Sequence, residues 1–272
     1  MKKLPIAYQL YCVRDFMERD VDGTLQKVKE LGFDGVEFAG FFGYSSADMK
    51  ALLVKHGLKA ISSHVPLQLI IANPEETIRY HKELGCEYIA VPYLTEEDRP
   101  GAPGFAKVLS IMYTFANQCK AAGITLLYHN HDFEFRKVSG IYGLDFIYQA
   151  IPSDLLQTEI DTCWVKFAGV DPITYLASYQ GRAPIVHIKD FVSDNSGRTP
   201  YALIGLDDAP IDRSGFSYRP FGHGSQDPEG LVQAAIDAGA KWLVLEQDEP
   251  YGENPFEDAK LSMETFHRLG VK

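Results

Sequence analysis

One pattern of polar and apolar positions recurs along the chain. An amphipathic stretch ends in glycine and a short apolar run follows at once, as in KELGFDGVEF, VKHGLKAISSH, KELGCEYIAVP, KAAGITLLYHN and DAGAKWLVLEQ, and more loosely in YQGRAPIVHIKD. Glycine just after a helix adopts the left-handed backbone conformation that other residues resist. The apolar runs are rich in Val, Ile and aromatic residues, as strands buried on both faces are. The pattern therefore predicts repeated helix–glycine–strand units in a parallel sheet.

The apolar runs and the stretches between them predict eight strands and eight helices. The strands are expected at 5–11, 34–39, 58–64, 87–93, 124–131, 155–161, 183–189 and 242–247, and the helices near 21–31, 46–56, 74–84, 103–122, 142–150, 171–179, 227–238 and 255–269. Eight such units in about 250 residues match a TIM barrel. A doubly wound sheet would require a glycine-rich phosphate turn after an early strand, which the sequence lacks. We therefore expect an α/β fold, a single (β/α)8 TIM barrel spanning residues 1–272.

One long segment, 191–223, is rich in Gly, Pro, Ser and Asp and predicts no regular element. It follows the seventh strand, on the side of the barrel where active sites are built. Loops of this length are usually functional lids or disordered insertions. We favour an extended active-site loop that acts as a lid.

Composition and charge exclude several classes of partner. The 272 residues carry a net charge of −11, which argues against an extended nucleic-acid footprint. No apolar run reaches the ~18 residues of a transmembrane helix, so no membrane partner is expected. Gln9, Arg14 and Asp15 interrupt the first apolar stretch, so it does not resemble a secretory signal. The four cysteines form no CxxC pair, which favours reduced, buried thiols in a cytoplasmic protein.

Polar residues stand at or near the C-terminal ends of the predicted strands, on positions that face the barrel interior. They are Glu37, His64, His129, His131, Gln157, Glu159, Asp161, His187, Lys189 and Glu246. Any one of them could be a paired core residue, but buried charges at this density are costly unless they are paired or bind a metal. Carboxylate and imidazole ligands without thiolates suit Mn²⁺, Co²⁺, Zn²⁺ or Fe²⁺. The set predicts a catalytic metal site.

Five ordered motifs also carry a family resemblance. They are AYQLYCVRD at the start, YHNHDFEF at 128–135, EIDTCWVKFAG at 159–169, VHIKD at 186–190 and LEQDEP at 245–250. In this order they resemble the sugar phosphate isomerase/epimerase family, the xylose-isomerase-like TIM barrels. The inosose dehydratase and hydroxypyruvate isomerase branches are the most similar in pattern. GHGSQD at 222–227 agrees with the family's GxGxxD pattern.

The resemblance implies one divalent ion held by Glu, Asp, His and Glu from strands five to eight. Asp161, His187 and Glu246 match the last three ligands, and His129 stands where many members have the first Glu. His131 or a water-mediated contact remains an alternative to His129. Mn²⁺ is our first choice of metal, with Co²⁺, Zn²⁺, Fe²⁺ and Mg²⁺ as alternatives.

The resemblance also suggests roles for the other polar residues. We expect Glu246, His131, Glu159 and Lys189 to be the acid–base groups. Substrate contacts are expected from Glu37, His64, Glu134 and Trp164, and Trp164 replaces the His of DTGH-type members. A structural alternative is left open for each group: Glu159 could form an ion pair with Lys189, and Trp164 could be an ordinary core residue.

The substitution of His129 for a glutamate bears on the reaction. Epimerases of the family move a proton between two ligand glutamates through a metal-stabilised cis-enediolate, and here one of the two is missing. Our leading hypothesis is an isomerase or epimerase of a keto-sugar that acts through an enediolate. The alternative is a dehydratase or lyase that acts on an inosose or a 3-keto-glycoside by β-elimination, since both reactions begin with proton transfer next to a carbonyl. A non-catalytic sugar-binding module is the third hypothesis.

The expected substrate is an unphosphorylated carbohydrate. Strand eight leads into the acidic segment QDEPYGENPF, and the nearby basic residues are Arg198, Arg213 and Arg219 of the long loop. An apurinic endonuclease would need three zinc ions and a basic groove, which this chain does not offer. Barrels of this family often pair, so a homodimer is also an expectation.

Overall fold

The computed structural model describes residues 1–194, 200, 201, 203 and 211–272. Eight strands form one sheet: β1 Ile6–Gln9, β2 Gly35–Phe38, β3 Lys59–Ser63, β4 Tyr88–Val91, β5 Thr125–His129, β6 Leu156–Asp161, β7 Ile185–Ile188 and β8 Trp242–Leu245. Their order in the sheet is β3-β2-β1-β8-β7-β6-β5-β4, and every pair is parallel. Each lies within its predicted range.

The sheet curls until its two edge strands meet. A parallel bridge joins His64 to Ala90. The Val65 N–H donates to the carbonyl of Ala90 at 2.9 Å, and the Glu87 N–H donates to that of Ile61 at 3.2 Å. The sheet is therefore a nearly closed barrel, which confirms the predicted TIM-barrel fold.

Helices surround the barrel and connect its strands. They are α1 Arg14–Arg19, α2 Val21–Glu30, α3 Ser46–His56, α4 Leu67–Ala72, α5 Pro74–Leu84, α6 Phe105–Ala122, α7 Gly143–Ala150, α8 Thr162–Phe167, α9 Pro172–Ala177, α10 Pro228–Ala238 and α11 Pro255–Arg268. The eight predicted helices are present, while the short α1, α4 and α8 were not expected. Gly57 and Gly85 end α3 and α5 with φ of 65° and 98°, in the predicted left-handed conformation. The connections also contain, among the described residues, 3₁₀ turns at Leu10–Val13, Glu96–Asp98 and Phe133–Phe135 and a small hairpin of Lys137–Val138 with Ile141–Tyr142.

The prediction that segment 191–223 is irregular throughout is wrong. Asp190–Ser193 pairs with Phe216–Arg219 in an antiparallel hairpin. Alternating aromatic residues explain it, because Phe191, Phe216 and Tyr218 are buried in a cluster with Trp164. Residues 195–199, 202 and 204–210 lie outside the described part of the chain, so the lid stays a prediction.

The barrel interior is apolar in its N-terminal half. Ala7, Ile61, Tyr88, Ala90, Leu127, Ile185, Trp242 and Val244 form this inner cluster. A larger core fills the space between the sheet and the helices. The register between β2 and β3 shifts at Val36/Glu37, so that Glu37 lies opposite Ser62 although Val36 lies opposite Ala60. This bulge inserts one residue into β3.

Two further predictions concern the cysteines and membrane-spanning helices. Cys12, Cys86, Cys119 and Cys163 are buried free thiols, as predicted. No helix within the described ranges is both long and apolar enough to cross a bilayer.

Candidate functional site

Four polar side chains converge at the C-terminal end of the barrel, one each from β5 to β8 or the residue that follows. They are His129, Asp161, His187 and Glu246, and their possible ligand atoms all lie within 4.8 Å of one another. His129 Nε2 lies 3.5 Å from Asp161 Oδ2 and 3.8 Å from Glu246 Oε2. His187 Nδ1 lies 2.8 Å from Glu246 Oε2. The structure thus brings together the four predicted ligands, which we call the tetrad.

Local hydrogen bonds orient two tetrad atoms so that they could bind a cation. His129 Nδ1 lies 3.2 Å from the carbonyl of Pro92, which can only accept, so this nitrogen carries the proton and Nε2 presents its lone pair. Asp161 Oδ1 accepts N–H bonds from Cys163 and Trp164 at the start of α8, which orients Oδ2 towards the tetrad. Among the described atoms, His129 Nε2 is buried without a hydrogen-bond partner, and the partner of Asp161 Oδ2 is the Lys189 ammonium at 3.1 Å. The donor set therefore fits a divalent metal ion.

Lys189 balances the negative charge of this region. Its Nζ lies 3.1 Å from Asp161 Oδ2, 2.9 Å from Glu246 Oε2 and 2.8 Å from Asp248 Oδ1. Burial lowers the pKa of Lys189, but the three carboxylates outweigh burial and raise it well above its usual value. Lys189 is thus a buried ammonium. The alternative in which Lys189 pairs with Glu159 is wrong. Its partner on β6 is Asp161, the last residue of that strand, and Glu159 contacts His187 instead.

A second acidic cluster forms the floor beneath the tetrad. His187 Nε2 lies 2.8 Å from Glu37 Oε1 and 3.1 Å from Glu159 Oε1. His64 Nε2 lies 3.3 Å from a carboxylate oxygen of each glutamate. Burial, and then the charge of Glu159, raise the pKa of Glu37 to about 7. Gln9 donates to Glu37 Oε1 at 2.7 Å, a contact that the sequence did not suggest.

His131 stands beside the tetrad as a neutral ring. Its ring stacks with Phe133, at 5.3 Å, and with Trp164, at 5.7 Å between centroids, and the Arg99 guanidinium lies over the ring of Phe133 at 3.5 Å. Burial, and then the nearby His129, hold the pKa of His131 well below its usual value. Its Nδ1 has no hydrogen-bond partner among the described residues. A neutral imidazole with a free nitrogen can accept a proton.

A small cavity marks where these groups meet. It is lined by Tyr11, His64, Pro92, Tyr93, His129, His131, Lys189, Glu246 and Asp248, and its volume is about 20 Å³. Of the predicted acid–base and substrate residues, His64, His131, Lys189 and Glu246 therefore reach it. Tyr93 and Asp248 were not predicted as site residues, since a strand-end pattern does not single out residues of the following loops.

The other predicted residues lie behind this cavity. Glu37 and Glu159 belong to the floor, and Trp164 packs behind His131. Glu134 accepts from the Tyr128 hydroxyl at 2.6 Å and from the His131 N–H at 2.8 Å. The predicted substrate contact of Glu134 is thus replaced by a positioning contact, because both of its oxygens are already engaged.

The loop motif GHGSQD is fixed by a single carboxylate. Asp190 accepts N–H bonds from Gly222, Gly224 and Gln226, each at 3.0 Å. Gly224 must lack a side chain, because a Cβ there would lie 2.2 Å from Asp190 Oδ1. The last residue of VHIKD therefore anchors the segment that leads into α10.

The basic residues considered for a phosphate have other partners. Arg213 pairs with Glu249 at 3.2 Å, and Arg219 lies over the ring of Tyr251 at 3.9 Å. Arg198 lies outside the described residues.

The comparisons with known proteins agree with this geometry. Residues 25–269 match the family model described as xylose isomerase-like TIM barrel. The chain belongs to this family. It is 22% identical to the inosose dehydratase of Geobacillus kaustophilus (strain HTA426), over 91% of this chain and 87% of that protein.

Solved structures show the same fold. A sugar phosphate isomerase/epimerase from Parabacteroides distasonis superposes with a TM-score of 0.76 at 23% identity, covering 97% of this chain and 98% of the other. The IOLI protein, whose crystal structure contains a bound zinc atom, superposes with a TM-score of 0.68 at 15% identity, covering 98% of both chains. Proteins with this fold therefore include one described as a sugar phosphate isomerase/epimerase and one that binds zinc.

Proposed function

We propose that this protein is a metal-dependent enzyme that removes a proton next to the carbonyl group of an unphosphorylated keto-sugar, inosose or keto-glycoside. The tetrad carries this proposal, because four possible ligands from adjacent strands meet beside His131 and Lys189. A divalent ion held there would polarise the carbonyl as a Lewis acid. The zinc atom bound to the IOLI protein supports such an ion, and Mn²⁺ remains our first choice for this chain.

The replacement of one ligand glutamate by His129 favours elimination over epimerisation. The family's epimerases move the proton between two ligand glutamates, and this chain has only Glu246 of that pair. Here the neutral His131 can take the proton, while the Lys189 ammonium can give one to a leaving oxygen. As His131 takes the C–H proton, a C=C bond forms, the C–O bond to the β-oxygen breaks and that oxygen leaves with a proton from Lys189. The product is an unsaturated ketone plus water or an alcohol.

Metal content tests the site directly. Wild-type protein reconstituted with Mn²⁺, Co²⁺, Zn²⁺ or Fe²⁺ should retain about one ion per chain after desalting, measured by plasma emission spectrometry. Asp161→Asn and Glu246→Gln should lose the ion, and their turnover should fall by about 10³-fold, since metal assistance contributes several kcal/mol. Glu257→Gln, at an exposed carboxylate of α11, is the matched control and should retain both.

Screening keto-sugars and inososes in deuterated buffer distinguishes the reactions. Elimination gives an unsaturated ketone and a released alcohol or water, whereas isomerisation or epimerisation gives an isomer that carries deuterium. Isomers without elimination product would return the leading role to the isomerase hypothesis. Wild-type protein that retains none of the four metals would contradict the proposal and favour a sugar-binding module.

A further inference from the structure

A second cavity opens beside the tetrad, on the same face of the barrel. It has a volume of about 380 Å³ and lies between the loops after β2 and β3 and helix α5. This volume is within the usual range of small-molecule sites, about 300–1,000 Å³. Its walls are mainly carbon, from residues that include Phe41, Val65, Pro66, Leu69 and Tyr80.

His64 connects this cavity with the tetrad. The same side chain lines both cavities. Its ring centroid lies 4.7 Å from that of His129 and 5.4 Å from that of His187. A molecule in the larger cavity is therefore separated from two tetrad residues by a single imidazole.

One wall of the larger cavity carries a buried hydrogen-bond acceptor. His81 Nδ1 lies 2.6 Å from the carbonyl of Thr77, which can only accept, so this nitrogen carries the proton. Nε2 is then an acceptor, and it has no partner among the described residues although His81 is only 2% exposed. Burial lowers the pKa of His81 to about 4, so the ring is neutral at pH 7. A buried acceptor without a partner is costly, and a ligand that donates a hydrogen would remove that cost.

The other residues that line the cavity favour an aromatic ring as the part of the ligand that bears the hydrogen-bond donor. Phe41 packs against Tyr80 at 4.1 Å and against His81 at 5.3 Å between centroids. The Tyr80 hydroxyl already donates to the carbonyl of Tyr44 at 2.8 Å, so Tyr80 offers the cavity its ring. A sugar ring in this place would bury several hydroxyl groups against carbon, whereas a hydroxylated aromatic ring buries one.

We propose that this cavity is a subsite for a hydroxylated aromatic ring, whose hydroxyl group donates to His81 Nε2 while its faces pack on Phe41 and Tyr80. Its role as the aglycone subsite of a keto-glycoside rests on the proposed function, but the binding itself does not. The reacting sugar would then occupy the tetrad side of His64.

Binding of two small probes to the metal-free protein tests the subsite without any turnover. 4-Methylphenol should bind saturably and more tightly than toluene, by about three- to tenfold, the contribution of one hydrogen bond. In His81→Phe this ratio should fall to about one, and in the control His267→Phe, at an exposed histidine of α11, it should not change. NMR titration or calorimetry measures both probes.

A second variant guards against a His81 substitution that fails to fold. Leu69 lines the cavity but is 59% exposed, so Leu69→Trp should fill the cavity without disturbing the core. It should weaken 4-methylphenol binding at least tenfold and raise KM, not lower kcat, for aryl keto-glycosides relative to keto-sugars without the ring. An unchanged probe ratio in His81→Phe, or saturable binding of methyl glucoside without any binding of 4-methylphenol, would overturn the subsite. Probe binding without turnover would instead count against the proposed function alone.

Discussion

The two halves of the barrel interior are built on the same strands and differ completely in chemistry. On β5, Leu127 belongs to the apolar N-terminal cluster and His129, two residues later, to the tetrad. Val244 of β8 and Glu246, the residue that follows the strand, show the same step. Because alternate residues of a strand face the same side, one continuous interior stripe supplies both layers. The lower, N-terminal layer stabilises the fold by burying apolar surface. The upper, C-terminal layer holds charged groups, whose burial costs free energy.

The largest effect on stability is expected in the upper layer, where the Lys189 ammonium balances three carboxylates. Lys189→Met should lower the unfolding free energy of the metal-free protein by about 3–5 kcal/mol, because it leaves Asp161, Glu246 and Asp248 buried without their ammonium. Urea unfolding in the presence of a chelator measures this loss. Added Mn²⁺ or Zn²⁺ should restore much of it, and the variant should bind these ions more tightly than wild type. Lys260→Met, at an exposed position of α11, should change neither quantity, and equal stability of Lys189→Met and wild type would contradict the role of the ammonium.

A cavity created in the lower layer should lower stability and leave metal binding unchanged. Leu127→Ala should lower the unfolding free energy by about 2–5 kcal/mol, because it removes a fully buried side chain. The number of metal ions bound per folded chain should stay the same, since the tetrad lies above this layer. Leu261→Ala, at a residue that is 38% exposed, provides the control. If Leu127→Ala also abolished metal binding in folded protein, the two layers would not be independent.

The third effect is expected behind the site, at Glu134, and it appears only as a change of stability with pH. Burial raises its pKa from 4.5 to about 8, so the folded protein holds a proton that the unfolded chain releases. The stability that this group contributes is therefore complete below about pH 4.5 and is lost as the pH rises to about 8, by at most about 1.4 kcal/mol per pH unit. Glu134→Gln mimics the protonated acid and should remove this decline, as measured by urea unfolding from pH 5 to 8. The same decline in wild type and Glu134→Gln would contradict the shift, and the exposed Glu257→Gln serves as control.

The strands and main helices could be predicted because the sequence marks them locally. Gly57, Gly85 and the other helix-ending glycines divide the chain at the correct places, and short apolar runs follow them. The hairpin of Asp190–Ser193 and Phe216–Arg219 could not be predicted, since its aromatic residues are stabilised by Trp164, which is distant in sequence. The glycines and prolines of the surrounding segment, 191–223, suggested only a loop.

The candidate site was predictable in its members but not in its pairings. The strand ends and the family resemblance pointed to all four tetrad residues. They did not show that Lys189 pairs with Asp161 rather than Glu159, or that Glu134 braces the backbone of His131. Such choices depend on which side chains the closed barrel brings within about 3 Å, and strand alternation alone does not determine this.

The bulge between β2 and β3 determines where His64 lies in the site. Ile61 and His64 both face the barrel interior, yet they are three residues apart, a spacing that plain alternation would place on opposite sides. The extra residue in β3 shifts the alternation of inward and outward side chains by one position, so that His64 faces Glu37 and Glu159. The position of His64 therefore depends on the length of the chain before it, not on the identity of its neighbours. Deleting a single residue from β3 would move the shared wall of both cavities outward, so relatives with a shorter β3 would differ in substrate range even where every polar residue of the site is retained.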